Sequence, residues 1–212
     1  MRTPVLDVVR PSVHALSRWY FGLELRGVEH IPQHGPVLIV PNHQTYADPP
    51  LVTIPFRRPI HYMAWSRLFS VPVLGRWIRM LRAFPVDIDR SDGQAVREAV
   101  RLLRAGEALM IFPEGGRTPD GTLQPFKLGA FRLAVTHRVP VLPVSIAGAW
   151  DSWPIDRVLP RRGRVTITYH PPQHPVQGGK PREAARELHD RTIAAIASGL
   201  SVFSRGGHRM PT

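Results

Sequence analysis

Val37-Leu38-Ile39-Val40-Pro41-Asn42-His43-Gln44-Thr45-Tyr46-Ala47-Asp48-Pro49 is the stretch that decides the fold: four apolar residues run unbroken into a proline and a polar turn. A short continuous apolar run closed by turn residues is the pattern of a strand buried on both faces, as in a parallel sheet. Similar runs recur at residues 61–64, 108–112, 141–147 and 165–169, most of them bounded by Gly or Pro. Helical patterns fill the intervals. Ser91 and Gln94 resemble a capping box, after which Val96, Ala99, Val100 and Leu103 mark one apolar face that stops near Gly106. Residues 126–138 and 182–197 read as two further helices, the second rich in Ala, Glu and Arg, which are good helix formers. This alternation predicts an α/β fold, with a central, mainly parallel or mixed sheet flanked by helices.

A chain of 212 residues is long enough for one domain with a substantial core. The domain is expected over residues 31–203, after an N-terminal amphipathic membrane-contact segment at 1–30 and before a flexible tail at 204–212. In that first segment Val9, Val13, Leu16, Trp19, Tyr20 and Leu23 recur at helical spacing with Arg10 and Arg18 among them, the pattern of a helix at a lipid interface. The same pattern also fits a helix packed on the protein's own core. Asp7, Arg10, Pro11, His14 and Arg18 interrupt this segment, so it does not read as a secretory signal. No stretch reaches the roughly 20 apolar residues that a membrane span needs. The chain is therefore expected to stay inside the cell.

Cysteine is absent, which excludes disulfides, thiolate nucleophiles and sulfur-ligated zinc. His137, His170, His174, His189 and His208 are scattered, and no metal site is expected from them. The formal charge of +12 comes almost wholly from arginine, Lys127 and Lys180 being the only lysines. Such a balance favours an anionic partner, and the planar fork of arginine suits phosphate in particular. Arg57-Arg58 and Arg161-Arg162 are short pairs set among prolines and apolar residues, unlike the long basic runs of many nucleic-acid modules. An acidic lipid surface is the better match, and no nucleic-acid partner is expected.

No GxSxG elbow, GxxxxGK[ST] loop or HExxH helix occurs, which sets aside hydrolase, kinase and zincin readings. What remains is the polar turn after residue 40, at a strand's carboxyl end, where α/β sheets place their chemistry. An alcohol attacking a thioester must lose its proton, and imidazole is a suitable base; a nearby carboxylate fixes its tautomer. Five positions along a continuous helix turn through about 500° and leave side chains roughly 140° apart, so His43 and Asp48 meet only across a turn. Pro49 supports that turn, since proline disfavours helix at the preceding residue and suits a helix's first turn. With ten histidines, spacing alone would yield about 0.4 His-x4-Asp matches by chance. A second motif adds weight. Phe112-Pro113-Glu114-Gly115-Gly116-Arg117-Thr118 follows a buried-type strand and joins a glycine-rich turn to one carboxylate and one guanidinium, a loop suited to presenting arginine to phosphate.

Taken together, these blocks resemble the lysophosphatidic acid acyltransferase family, the 1-acylglycerol-3-phosphate O-acyltransferases and their glycerolipid relatives. Asn42-His43 through Asp48 resembles the family's NHx4D block, Ala83-Phe84-Pro85-Val86-Asp87 the second block, residues 112–118 the FPEGTRS block, and Val141-Leu142-Pro143-Val144-Ser145-Ile146-Ala147-Gly148 the fourth. Order and spacing agree from about residue 35 to 148, and Pro125-Phe126-Lys127-Leu128-Gly129-Ala130 extends the third block. The resemblance implies His43 as general base, Asp48 as its orienting partner, Arg117 as phosphate ligand with Glu114 and Gly115 building the acceptor site, and Pro143, Val144 and Gly148 on the acyl-donor side. It implies direct transfer from acyl-CoA or acyl-carrier protein to a lysophospholipid, most simply 1-acylglycerol-3-phosphate, with no cofactor and no metal, by a peripheral enzyme on the cytoplasmic face of the cell membrane.

Three positions depart from the family pattern: Gly116 replaces a common Thr, Ile88 stands where Arg is common, and the Lys common near Trp65 is missing. Arg90 and Arg67 lie two residues from the last two positions and are the candidates to replace the missing charges, although two residues along a strand move a charge about 7 Å. The alternatives are an acceptor with another headgroup, or a catalytically silent lipid-binding relative. Residues 54–82 mix aromatic and aliphatic side chains with six arginines, a composition expected to dock on anionic lipid and to help form the acyl-chain groove.

Overall fold

Val37–Pro41 forms a strand, β2, that is buried along its whole length because neighbours flank both of its edges and helices cover both of its faces. The protein, a computed structural model, is described for residues 4–87 and 92–205. Along the chain come α1 (Pro4–Phe21), β1 (Glu24–Arg26), β2, α2 (Asp48–Thr53), β3 (Ile60–Trp65), α3 (Pro72–Met80), β4 (Ala83–Val86), α4 (Gly93–Arg104) and β5 (Ala108–Met110). They are followed by α5 (Gly129–His137), β6 (Val141–Ala147), α6 (Ala149–Ser152), β7 (Thr166–Tyr169) and α7 (Pro181–Arg205). The sheet order is β1-β7-β6-β2-β5-β3-β4. Strands β6, β2, β5, β3 and β4 run parallel to one another, while β7 is antiparallel to β6 and carries β1 beside it. The expected α/β domain with a mixed sheet is what forms.

Alternation along β2 divides the core. Val37 and Ile39 join Leu51, Val52, Phe56 and Ile146 on one face, and Leu38 and Val40 join Leu102, Leu109, Phe131 and Leu188 on the other. Helix α2, which follows β2, therefore lies on the face opposite α5, which follows the adjacent β5. Chains that leave neighbouring parallel strands for opposite faces open a crevice at the carboxyl ends.

Several expectations are corrected. The segment at 1–30 is not a separate unit, because Glu24–Arg26 joins the sheet beside β7; three residues with two polar side chains give too little apolar pattern to be read as a strand. The tail assigned to 204–212 begins inside α7 and, from 206 on, lies outside the described residues. Residues 83–86, read as a motif, form the edge strand β4, where Pro85 is tolerated because one side of the strand pairs with no other strand among the described residues. The cap of α4 is Asp92, whose Oδ1 accepts from the N–H groups of Gln94 and Ala95 (both 2.9 Å). The Ala95 N–H, then that of Asp87 on Oδ2 (3.0 Å) and that of Gln94, hold its carboxyl below the ordinary range; Ser91 lies outside the described residues. Helix α5 starts at Gly129 because the Lys127 N–H is bonded to the Pro113 carbonyl (2.9 Å), which holds residues 126–128 out of the helix. Pro143 sits in the interior strand β6 where its missing donor does no harm: the ladder to β7 ends at Val144 and Tyr169, and beyond it the Pro143 carbonyl accepts from His170 N–H (3.0 Å).

In α1, Val13 and Phe21 pack on the core while Leu16 and Trp19 face outward. Within 54–82, Phe69, Ile78 and Leu81 pack inward and Val71, Val73, Leu74 and Met80 stay exposed. No described helix is long and apolar enough to cross a membrane.

Candidate active site

His43 leaves the end of β2 and Asp48 opens α2, with Pro49 and Pro50 in the first turn. The chain between them folds back on the carboxylate. Asp48 is fully buried, and its Oδ2 accepts from His43 Nδ1 (2.8 Å), Gln44 N–H (2.5 Å) and Thr45 N–H (2.8 Å). Its Oδ1 accepts the Thr45 hydroxyl (2.8 Å). An ionised carboxylate is an acceptor only, and these four donors saturate one. Nδ1 therefore carries the imidazole proton, and Nε2 is left as a lone-pair acceptor at the partly open edge of the ring. Phe112 stacks on that ring, with centroids 4.0 Å apart, and limits its rotation.

Both backbone groups of His43 are held by the third block. Its N–H donates to Glu114 Oε1 (2.7 Å) and its carbonyl accepts from Thr118 N–H (2.8 Å). Glu114 Oε2 in turn accepts from Gln124 N–H (3.3 Å). Each oxygen of Glu114 thus accepts one backbone N–H, which holds its carboxyl behind His43 and clamps the third block to the end of β2. Burial pushes its carboxyl up to about 7, against the lowering effect of the His43 and Gln124 N–H groups. Gly115 takes the left-handed conformation (φ 77°), and a Cβ there would lie 2.6 Å from Lys127 Nζ. The lysine ammonium therefore rests over the glycine.

Arg117 lies with its guanidinium carbon 3.5 Å from the centre of the Tyr46 ring. No carboxylate partner is found for it among the described residues, so its hydrogen-bonding edge is available to an anion. Arg67 reaches out from the turn after β3 and sits over Trp65 at 5.0 Å. It stands at the same end of the sheet, two strand spacings or about 10 Å from β2. Arg90 lies outside the described residues.

The fourth block is brought to the site by polar residues whose role spacing alone does not reveal. Asn42 donates from Nδ2 to the Ile146 carbonyl (2.9 Å) and accepts Ile146 N–H at Oδ1 (2.7 Å), so its side chain continues the β2–β6 ladder past its last backbone pair. Gln44 Oε1 accepts the N–H groups of Ala149 (3.0 Å) and Trp150 (3.2 Å) at the start of α6. Pro143 and Val144 are a correction: both are buried within β6, facing the protein's own core, and offer no surface to a donor. Gly148, also buried, has φ 75° and would drive a Cβ to 2.1 Å from the Arg164 carbonyl oxygen; it is required by packing. Buried polar residues within a motif were the available signal for Asn42 and Gln44, since such groups are nearly always bonded.

Comparison with known proteins places this geometry among relatives. The Acyltransferase family model matches residues 22–147. The chain is 31% identical over 186 residues to the 1-acyl-sn-glycerol-3-phosphate acyltransferase of Pseudomonas aeruginosa, covering 85% of this chain and 70% of that one. It is 29% identical over 189 residues to a chloroplastic 1-acyl-sn-glycerol-3-phosphate acyltransferase of Brassica napus, covering 87% of this chain but only 53%, about half, of that relative's length. The crystal structure of the 1-acyl-sn-glycerophosphate acyltransferase from Thermotoga maritima superposes with a TM-score of 0.79 at 28% identity, over 98% of this chain and 82% of that one.

Proposed function

The chain belongs to the acyltransferase family, among the 1-acyl-sn-glycerol-3-phosphate acyltransferases, and from that premise we propose that it transfers a fatty acyl group from a thioester to the free hydroxyl of 1-acylglycerol-3-phosphate, giving phosphatidic acid. The observation that carries this reading is the His43–Asp48 pair, bonded through Nδ1 at 2.8 Å and leaving Nε2 open. Nε2 takes the proton of the acceptor hydroxyl as its oxygen attacks the thioester carbonyl. The new C–O bond forms, the C–S bond breaks, and the proton passes from the imidazolium to the leaving thiolate. Asp48 stabilises the imidazolium without itself being protonated. Arg117, carried on Tyr46, takes the acceptor's phosphate, with Arg67 at the same sheet end as a further cation. The donor is acyl-CoA or acyl-carrier protein, and the acceptor is met at an anionic membrane surface, on its cytoplasmic face, where the protein is peripheral.

A thiol-release assay with acyl-CoA and a panel of lysolipids tests the reading. Thiol is expected only when an acceptor is present, most rapidly with 1-acylglycerol-3-phosphate, and mass spectrometry of the products identifies the acceptor used. His43→Ala should lower the rate by about 10² to 10⁴; an unchanged rate would remove His43 as the base. Preference for a lysolipid without a phosphomonoester would move the assignment to another headgroup, the reading favoured by Gly116 and Trp65.

A further inference from the structure

Residues 153–164, which lead from α6 toward β7, form a long loop for a compact domain, and long ordered loops are usually functional. Its apolar side chains point away from the protein: Val158 is 88% exposed and Leu159 73%, with Ile155 also exposed. Four exposed arginines, Arg157, Arg161, Arg162 and Arg164, share the loop with a single acid, Asp156. The loop is fastened to the outward face of α1. Tyr20 donates its hydroxyl to the Pro160 carbonyl (2.8 Å), and Arg162 lies 4.3 Å over the ring of Trp19. Trp19 is 65% exposed, as is Leu16 at 61%, three positions earlier on the same helical face.

At its other end the loop reaches the site. Trp153 donates its indole N–H to the Arg157 carbonyl (3.0 Å) and meets Tyr46 edge-on at 6.3 Å, and Tyr46 carries Arg117. A continuous set of contacts thus links the exposed apolar tip to the residue assigned to phosphate.

We propose that this loop and the outward face of α1 form the surface that docks on an anionic phospholipid bilayer, with Val158, Leu159, Leu16 and Trp19 entering the interface and the arginines meeting the headgroup phosphates. The proposal rests on the reading of the site as an acyltransferase centre fed from a membrane. Charge complementarity selects the occupant. A second copy of the chain would set arginine cluster against arginine cluster, which like-charge repulsion opposes. Aliphatic side chains rimmed by arginine and tryptophan suit a bilayer interface, where the chains are buried and the cations stay with phosphate. Docking there brings Tyr46 and Arg117 to the headgroup level.

The experiment is vesicle sedimentation of the full chain with phosphatidylglycerol–phosphatidylcholine vesicles at low salt. Val158→Ser/Leu159→Ser should weaken binding at least about tenfold, and Arg157→Gln about fivefold. The control Val96→Ser/Val202→Ser, two exposed valines on α4 and α7, should bind as wild type. Turnover of a short-chain acceptor dissolved as monomers should be unchanged in the loop variants, which shows that they fold and keep the site. Equal vesicle binding by wild type and the loop double variant overturns the proposal, as does an equal loss in the control. A concentration-dependent dimer that vanishes in the loop double variant also overturns it, in favour of self-association. If wild type turns over no soluble acceptor, the enzymatic reading fails while the vesicle result still decides the docking surface.

Discussion

Glu114 meets two opposed demands: half-buried surroundings favour its neutral form, while the His43 and Gln124 N–H groups favour the carboxylate. Burial dominates and raises its pKa from the ordinary 4.5 to about 7. A carboxyl that holds its proton in the folded state to higher pH than in the unfolded one binds more protons when folded across that window, so stability falls as pH rises from about 4.5 to about 7. Glu114→Gln cannot ionise and should lack this decline, although its amide disturbs the Gln124 contact. Urea denaturation of both proteins from pH 4.5 to 8 reads the difference, and parallel curves would contradict the raised pKa. Tyr46 makes a separate prediction. If its ring holds Arg117 for phosphate, Tyr46→Ala should raise KM for a phosphate-bearing acceptor about fivefold with kcat little changed, and Tyr46→Phe should behave as wild type. A fall confined to kcat would instead place Tyr46 in the chemical step.

Elements are joined at the site by side chains that act as backbone. Asn42 supplies one donor and one acceptor to Ile146 and so extends β2 against β6, while Gln44 holds the first N–H groups of α6. The turn from β6 into α6 depends on Gly148, where a left-handed φ and a backbone oxygen 2.1 Å from any Cβ act together. Neither constraint relaxes without moving the main chain. Gly148→Ala should therefore cost more than about 2 kcal/mol of stability, measured by denaturant midpoint at constant m-value. Gly35→Ala, also at positive φ but with nothing within 4 Å of a Cβ, should cost less. If the two variants matched, strain at φ alone would account for Gly148 and close packing would not.

Across the whole molecule, His61 and His170 lie on different elements and share one tendency: burial, its largest cause in each, lowers the pKa below 6.5. Ser145 donates its hydroxyl to the Ile196 carbonyl (2.9 Å) and accepts from His170 Nε2 (2.6 Å), which ties β6 to α7. For a base with a depressed folded pKa, the unfolded chain binds more protons as pH drops, so stability present above about 6.5 is lost as the solution is acidified through the folded values. Glu114 acts in the opposite sense over the same window, so the contribution is read in Glu114→Gln: thermal unfolding of that variant at pH 7.5 and pH 5.5 should show a lower Tm at the acid pH, and adding His170→Asn should reduce that difference.

The sequence by itself determined the five main strands and the α/β class, and it singled out His43, Asp48 and Arg117 as candidates. Each of these is written in local pattern: continuous apolar runs, and polar residues at fixed short spacing after them. The tertiary structure alone decided that Glu114 stands behind His43, that Pro143 and Val144 are core residues, that Glu24–Arg26 completes the sheet, and that the loop after α6 lies against α1. Those are contacts between segments 70 to 140 residues apart, as in His43–Glu114 and Tyr20–Pro160. No local periodicity encodes such contacts; they exist only once the sheet order has brought the strand ends together.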